Sequence, residues 1–99
     1  MRPIYTAQLD KIRPVLILTR EQVRPYLNRI SVAPITSTIR GLSSEVPVGL
    51  DNGLDHAAVV SCDNVVTVPK AALRDQIGFL LPVQETQLTE ALSAAFDLA

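Results

Sequence analysis

Arg13-Pro14-Val15-Leu16-Ile17-Leu18-Thr19 and, after a polar interval, Val32-Ala33-Pro34-Ile35-Thr36-Ser37-Thr38 are the stretches whose reading decides how this chain folds. Each apolar run is too short for a helix of ordinary length and is bounded by polar, turn-favouring residues, the pattern of a buried strand. Arg13 stands where the first run begins, and Thr36 where the second finishes. A guanidinium and a hydroxyl brought together at strand ends, with further arginines nearby in sequence, form a receptor suited to a phosphate.

Working outward, residues 4–9 are rich in branched and aromatic side chains and predict a first strand. Only Asp10 to Ile12 separates it from the next, which implies a tight antiparallel hairpin. Pro25 disfavours a continuous helix over 20–29, so a loop or single helical turn is expected there. Residues 30–36 predict a third strand, with Pro34 placing it at an edge or bulge. A loop over 37–44, a short strand over 45–48 and an Asn52-Gly53 turn follow. Residues 57–68 predict two strand pieces kinked at Ser61-Cys62-Asp63-Asn64. Residues 69–75 suit a short helix with proline in its first turn, and 77–81 a further strand. From 83 to 98, Leu88, Leu92, Ala95 and Phe96 recur at helical spacing. The fold class expected is mainly β (α+β): a small, strongly curved antiparallel sheet or barrel with a C-terminal amphipathic helix packed on it.

Ninety-nine residues suffice for one domain spanning 1–99 and are too few for two. A chain this small, with prolines marking its strands, is expected to finish burying its surface by dimerising. An aromatic fraction of 4% leaves little for base stacking, so any nucleic acid would be held by charge and hydrogen bonds. The formal charge of −1 hides an asymmetry: residues 1–40 carry seven basic and two acidic side chains, residues 41–99 two basic and eight acidic. Such a split predicts either a basic surface for a polyanion or halves that intermix in the fold. A single cysteine, Cys62, excludes an internal disulfide and fits a reducing compartment. No signal-peptide core or membrane-length run is present, so a soluble cytoplasmic protein is expected. Asp51, Asp55, His56, Cys62 and Asp63 match no zinc or calcium spacing, and no metal or cofactor is predicted.

The runs 13–18 and 33–36, then Val59-Val60-Ser61-Cys62-Asp63-Asn64-Val65-Val66-Thr67-Val68, and Leu73 before Ile77-Gly78, resemble the successive motifs of the MazF/PemK toxins, in the shorter mycobacterial form. Each motif alone is weak; their order and spacing are specific. The resemblance implies an SH3-like barrel with a C-terminal helix, a homodimer, and metal-independent, sequence-selective cleavage of single-stranded RNA that inhibits translation and growth. It also implies a cognate MazE-like antitoxin whose disordered acidic tail fills the RNA groove. The family's catalytic arginine and threonine fall on Arg13 and Thr36, and the polar neighbours Ser37, Thr38, Arg40 and Lys11 are the expected substrate contacts. Two departures stand out: Arg2-Pro3-Ile4 replaces the usual opening motif, and the first connecting loop is short and lacks Gly-Ser-Glu. The alternative is a non-catalytic module on the same barrel, as in the gyrase-poisoning CcdB toxins.

Arginine stays charged at any physiological pH and pairs with two phosphate oxygens, which suits it to stabilising a transition state and not to acting as a base; the alternative reading of Arg13 is a structural salt bridge at the barrel mouth, to Asp10 or Glu45. Thr36 can donate to a non-bridging oxygen. His56, the sole histidine, is expected as a turn or surface residue, Cys62 as a small buried one, and Asp63-Asn64 as braces of a bulge.

Overall fold

A computed structural model describes residues 1–98. Seven strands run as β1 (Pro3–Gln8), β2 (Ile12–Ile17), β3 (Arg29–Thr36), β4 (Glu45–Val48), β5 (Ala58–Ser61), β6 (Val66–Pro69) and β7 (Leu73–Phe79), followed by helix α1 (Pro82–Ala95). The sheet order is β4-β5-β3-β2-β1-β7, with β6 also paired to β3, and every pairing is antiparallel. The chain is thus mainly β, a curled half-barrel sheet with one C-terminal helix, as the sequence predicts.

The unalternating run in β2 is explained by burial on both faces. Leu16, with Ile4, Ala33, Ile35 and Val60, joins the larger core, on which Leu88 and Ala91 of α1 pack. Val15 and Ile17 point the other way, into a smaller core with Ala7, Ile30, Val32 and Val68. A strand covered on both sides needs apolar residues at every position. The β1–β2 hairpin pairs Gln8 with Ile12, leaving a three-residue turn closed by a Leu9 N–H to Lys11 C=O bond of 3.0 Å.

On its far side β3 changes partner, pairing with β6 over Arg29–Val32 and with β5 at Ile35 and Thr36. The predicted kink makes this change, since a 3-10 turn at Cys62–Asn64 lets the chain leave β5 and re-enter the same edge as β6. Pro34 is therefore not on an edge strand. It faces Val15 of β2 and falls in the interval between the two partners on the other side.

Several other expectations are corrected. Residues 69–75 form only a three-residue 3-10 turn, Lys70–Ala72, because β7 begins at Leu73 to pair with Ala7. Asn52 and Gly53 do not make a two-residue hairpin; Leu50–Asn52 is a 3-10 turn that Gly53 ends at φ 88°. The helix stops at Ala95, so Phe96 lies beyond it and is exposed. The segment 20–29 holds one 3-10 turn, Arg24–Tyr26, as Pro25 requires.

The turn at Leu50–Asn52 also closes the curl. A Cβ on Gly53 would lie 1.9 Å from the Ile77 carbonyl oxygen, and one on Gly78 1.9 Å from that of Asn52, so two backbones touch where only glycine fits. Asn52, 1% exposed, locks this junction by donating to Phe79 C=O (2.9 Å) and Gln84 Oε1 (2.7 Å) while accepting from Gly49 N–H (3.1 Å).

Candidate active site

The β2–β3 ladder pairs Val15 with Pro34 and Ile17 with Val32. The pairing ends at Val15 and Pro34, and Arg13 and Thr36 each lie two residues beyond it, at the adjoining ends of β2 and β3. Strand alternation puts both on the face of Val15 and Val32, at the end of the smaller core. The two side chains line the same two surface depressions, one on either side of the strand ends.

Arg13 is not free. Its Nε and Nη2 donate to the two carboxylate oxygens of Asp10, at 2.8 and 3.0 Å, a fork-to-carboxylate pair across the hairpin turn. The bond from Arg13 holds the Asp10 carboxyl well below the usual carboxylate range, and Asp10 in turn pushes the guanidinium pKa up. The fork engages one edge of the guanidinium and leaves Nη1 and one N–H of Nη2 for a second anion. Thr36 Oγ1 accepts from the Thr38 N–H at 3.1 Å, which fixes the hydroxyl and leaves its own proton to donate.

The first depression, about 450 Å³, adds Lys11, Ser37 and the turn from Gly53 to His56. The second, about 460 Å³, adds Thr38, Arg40, Glu45, Ser61, Asp63 and Asn64. The candidate substrate contacts named from sequence are thus all at the site, Lys11 and Ser37 on one side of the Arg13–Thr36 pair, Thr38 and Arg40 on the other. The Glu45 carboxylate shapes the second side by accepting from the N–H groups of Arg40, Gly41 and Leu42 at 3.2, 2.9 and 3.2 Å. Gly41, at φ 73°, turns these amides inward. Ser44, buried, donates to Asp63 Oδ2, and Asn64 donates to Ser61 Oγ at 2.7 Å. Cys62 beneath them is fully buried, and burial, with the charge of Asp63, pushes its thiol up to about 11.

Of the two salt-bridge partners the sequence offers Arg13, the structure supplies Asp10, three residues away across a tight turn. Glu45 turns instead to the backbone amides of 40–42, and Asp63, expected as a brace, lines the second depression. His56, expected at a turn or the surface, is exposed and also borders the first depression with its Nδ1 on the Asp55 carboxylate. The charge asymmetry does not become a uniformly basic groove. Acidic residues of the second half stand among the basic ones of the first at the site, while Arg24, with Lys70 donating to its carbonyl, lies at the opposite strand ends.

Comparison with known proteins agrees with this fold. The sequence profile of the PemK-like, MazF-like toxins of type II toxin–antitoxin systems matches residues 2–96. Endoribonuclease MazF3 of Mycobacterium tuberculosis is 62% identical over 98 residues, 99% of this chain and 95% of that protein. Among solved structures, the Mycobacterium tuberculosis toxin MazF-mt6 superposes with a TM-score of 0.97 at 61% identity, covering 99% of both chains. A mycobacterial endoribonuclease solved in complex with its cognate antitoxin shares the fold, with a TM-score of 0.87 at 24% identity over 98% of this chain and 93% of that one. The chain belongs to the PemK-like, MazF-like toxins of type II toxin–antitoxin systems.

Proposed function

We propose that this chain, an endoribonuclease of the MazF type, cuts single-stranded RNA without a metal ion, using Arg13 and Thr36 on one phosphate. The observation that carries this reading is their shared position at the adjoining ends of β2 and β3, each lining both depressions. The 2′-oxygen attacks the adjacent phosphorus, an O2′–P bond forms as the P–O5′ bond breaks, and the products are a 2′,3′-cyclic phosphate and a 5′-hydroxyl. Charge builds on the non-bridging oxygens. The free edge of Arg13, held by Asp10, and the Thr36 hydroxyl, held by Thr38, are donors fixed before the substrate arrives, the arrangement that stabilises such charge most. Arg13 is also placed to hand a proton to the leaving 5′-oxygen. Lys11 and Ser37 on one side, Thr38 and Arg40 on the other, hold the flanking strand.

A relative has been solved in complex with its cognate antitoxin; for this chain the partner is a MazE-like antitoxin whose acidic tail fills the cleft and silences the toxin. The working form is a homodimer acting in the cytoplasm, where its effect is to stop translation and growth. The test is incubation of the purified chain with single-stranded RNA in excess EDTA. Fragments ending in 2′,3′-cyclic phosphate, with binding that weakens by about 0.7 log units per phosphate contact for each tenfold rise in salt, are expected. No cleavage of varied RNAs, with topoisomerase blocked instead, would put the non-catalytic poison in its place.

A further inference from the structure

We propose that the depression holding Asp63 and Asn64 is a base-reading subsite that accepts a nucleotide carrying an exocyclic amino group next to the cut and rejects uracil. The proposal rests on the ribonuclease reading above and adds to it which residues select the sequence. A strand whose phosphate sits on Arg13 and Thr36 must cross this depression, because both residues line it.

Three carboxylates stand there, and two are already engaged. Asp10 is taken by the Arg13 fork, and Glu45 by three backbone amides. Asp63 gives Oδ2 to Ser44, and its Oδ1 has no partner among the described residues. Asn64 uses one of its two amide N–H groups on Ser61, and its Oδ1 has no partner among those residues. Both residues line the depression from one braced turn, whose Cys62 is fully buried and whose Cys62 N–H is bound to Ser44 C=O at 3.0 Å, so the open oxygen of Asp63 is the acceptor offered there.

A carboxylate with one oxygen left open beside a phosphate site repels the strand unless that oxygen meets a donor. RNA offers donors at sugar hydroxyls and base edges. Cytosine, adenine and guanine each present an amino group, whereas the single N3–H of uracil is flanked by two carbonyl oxygens, which the Asp63 carboxylate repels. The backbone is held from the same depression by the Arg40 guanidinium, so holding and reading are divided between different side chains.

The test cleaves a randomised single-stranded RNA pool with the purified chain, maps the ends, and measures binding of uncleavable 8-mers carrying a 2′-deoxy sugar at the cut. Uracil is expected to be disfavoured roughly tenfold or more at one of the two nucleotides flanking the cut. Asp63→Asn keeps an oxygen for Ser44 and turns a donor into the cleft, so it should relax or reverse that preference at this position alone. Arg40→Ala should weaken all sequences alike. Cleavage with uracil as good as the other bases at both flanks, or an Asp63→Asn profile that superimposes on the unmodified one, overturns the subsite. Discrimination in binding without any cleavage keeps the subsite and removes the chemistry instead; absence of both removes the two together.

Discussion

Replacing Asn52 by alanine should cost about 3 kcal/mol of stability, although the residue touches no part of the proposed chemistry. Its amide is fully used in a site 1% exposed, with both N–H groups donating, to Phe79 C=O and Gln84 Oε1, and its oxygen accepting from Gly49 N–H. Alanine leaves the Gly49 N–H and the Phe79 C=O without their partner. Each orphan held away from water costs about 1–3 kcal/mol, and water reaching the half-buried Gly49 or the exposed Phe79 recovers part. Gln84 loses less, since it keeps the Leu81 N–H at 2.8 Å and the Pro47 C=O at 3.2 Å. For a domain of this size each kcal/mol lowers Tm by about 4–8 °C, which predicts a fall of about 12–24 °C. Urea titration should show a lower midpoint at unchanged slope, the sign of lost native stability. A fall under about 3 °C would refute the reasoning, because the loop 49–57, β7 and α1 would then be held together by something other than this amide.

Gly78→Ala should destabilise by at least about 1–3 kcal/mol in the same titration, because its Cβ meets the Asn52 carbonyl oxygen at 1.9 Å and backbone must shift. The Cys62 thiol ionises at about 11 in the folded chain against 9.0 unfolded, so the folded state binds the extra proton between those values. Stability should therefore fall as pH rises from about 9 to 11, and a Cys62→Ser variant measured across that range should lack the fall. The Asp10 carboxyl, held below its ordinary 3.8, contributes stability above that pH and loses it only as pH falls further. Asp10→Asn should accordingly remove an acid-range inflection in thermal melts and leave the neutral range without one.

Much of this was legible because local pattern and tertiary outcome agree. The apolar runs around Val15 and Ile35 are strands, and the polar set at residues 61–64 is the break that lets β3 take two partners. What was not legible depends on contacts distant in sequence. Strand β7 starts four residues before Ile77 because β1 supplies a partner for Leu73, overriding the helical look of residues 69–75. Asn52-Gly53 has the composition of a hairpin turn, but a second backbone at Ile77 and Gly78 decides its shape. At the site, Arg13 and Thr36 could be named from sequence; the capture of Glu45 by backbone amides and the brace from Ser44 to Asp63 arise only when residues 37–44 fold.

The central claim is that Arg13 and Thr36 act as a unit on one phosphate, and a double-mutant cycle on RNA cleavage tests it most directly. Arg13→Ala and Thr36→Val should each lower kcat by about 100- to 1,000-fold, and the double variant should fall little below the weaker single, as for groups that share one transition state. Losses that multiply, or a single variant that cleaves at the unmodified rate, would contradict the account.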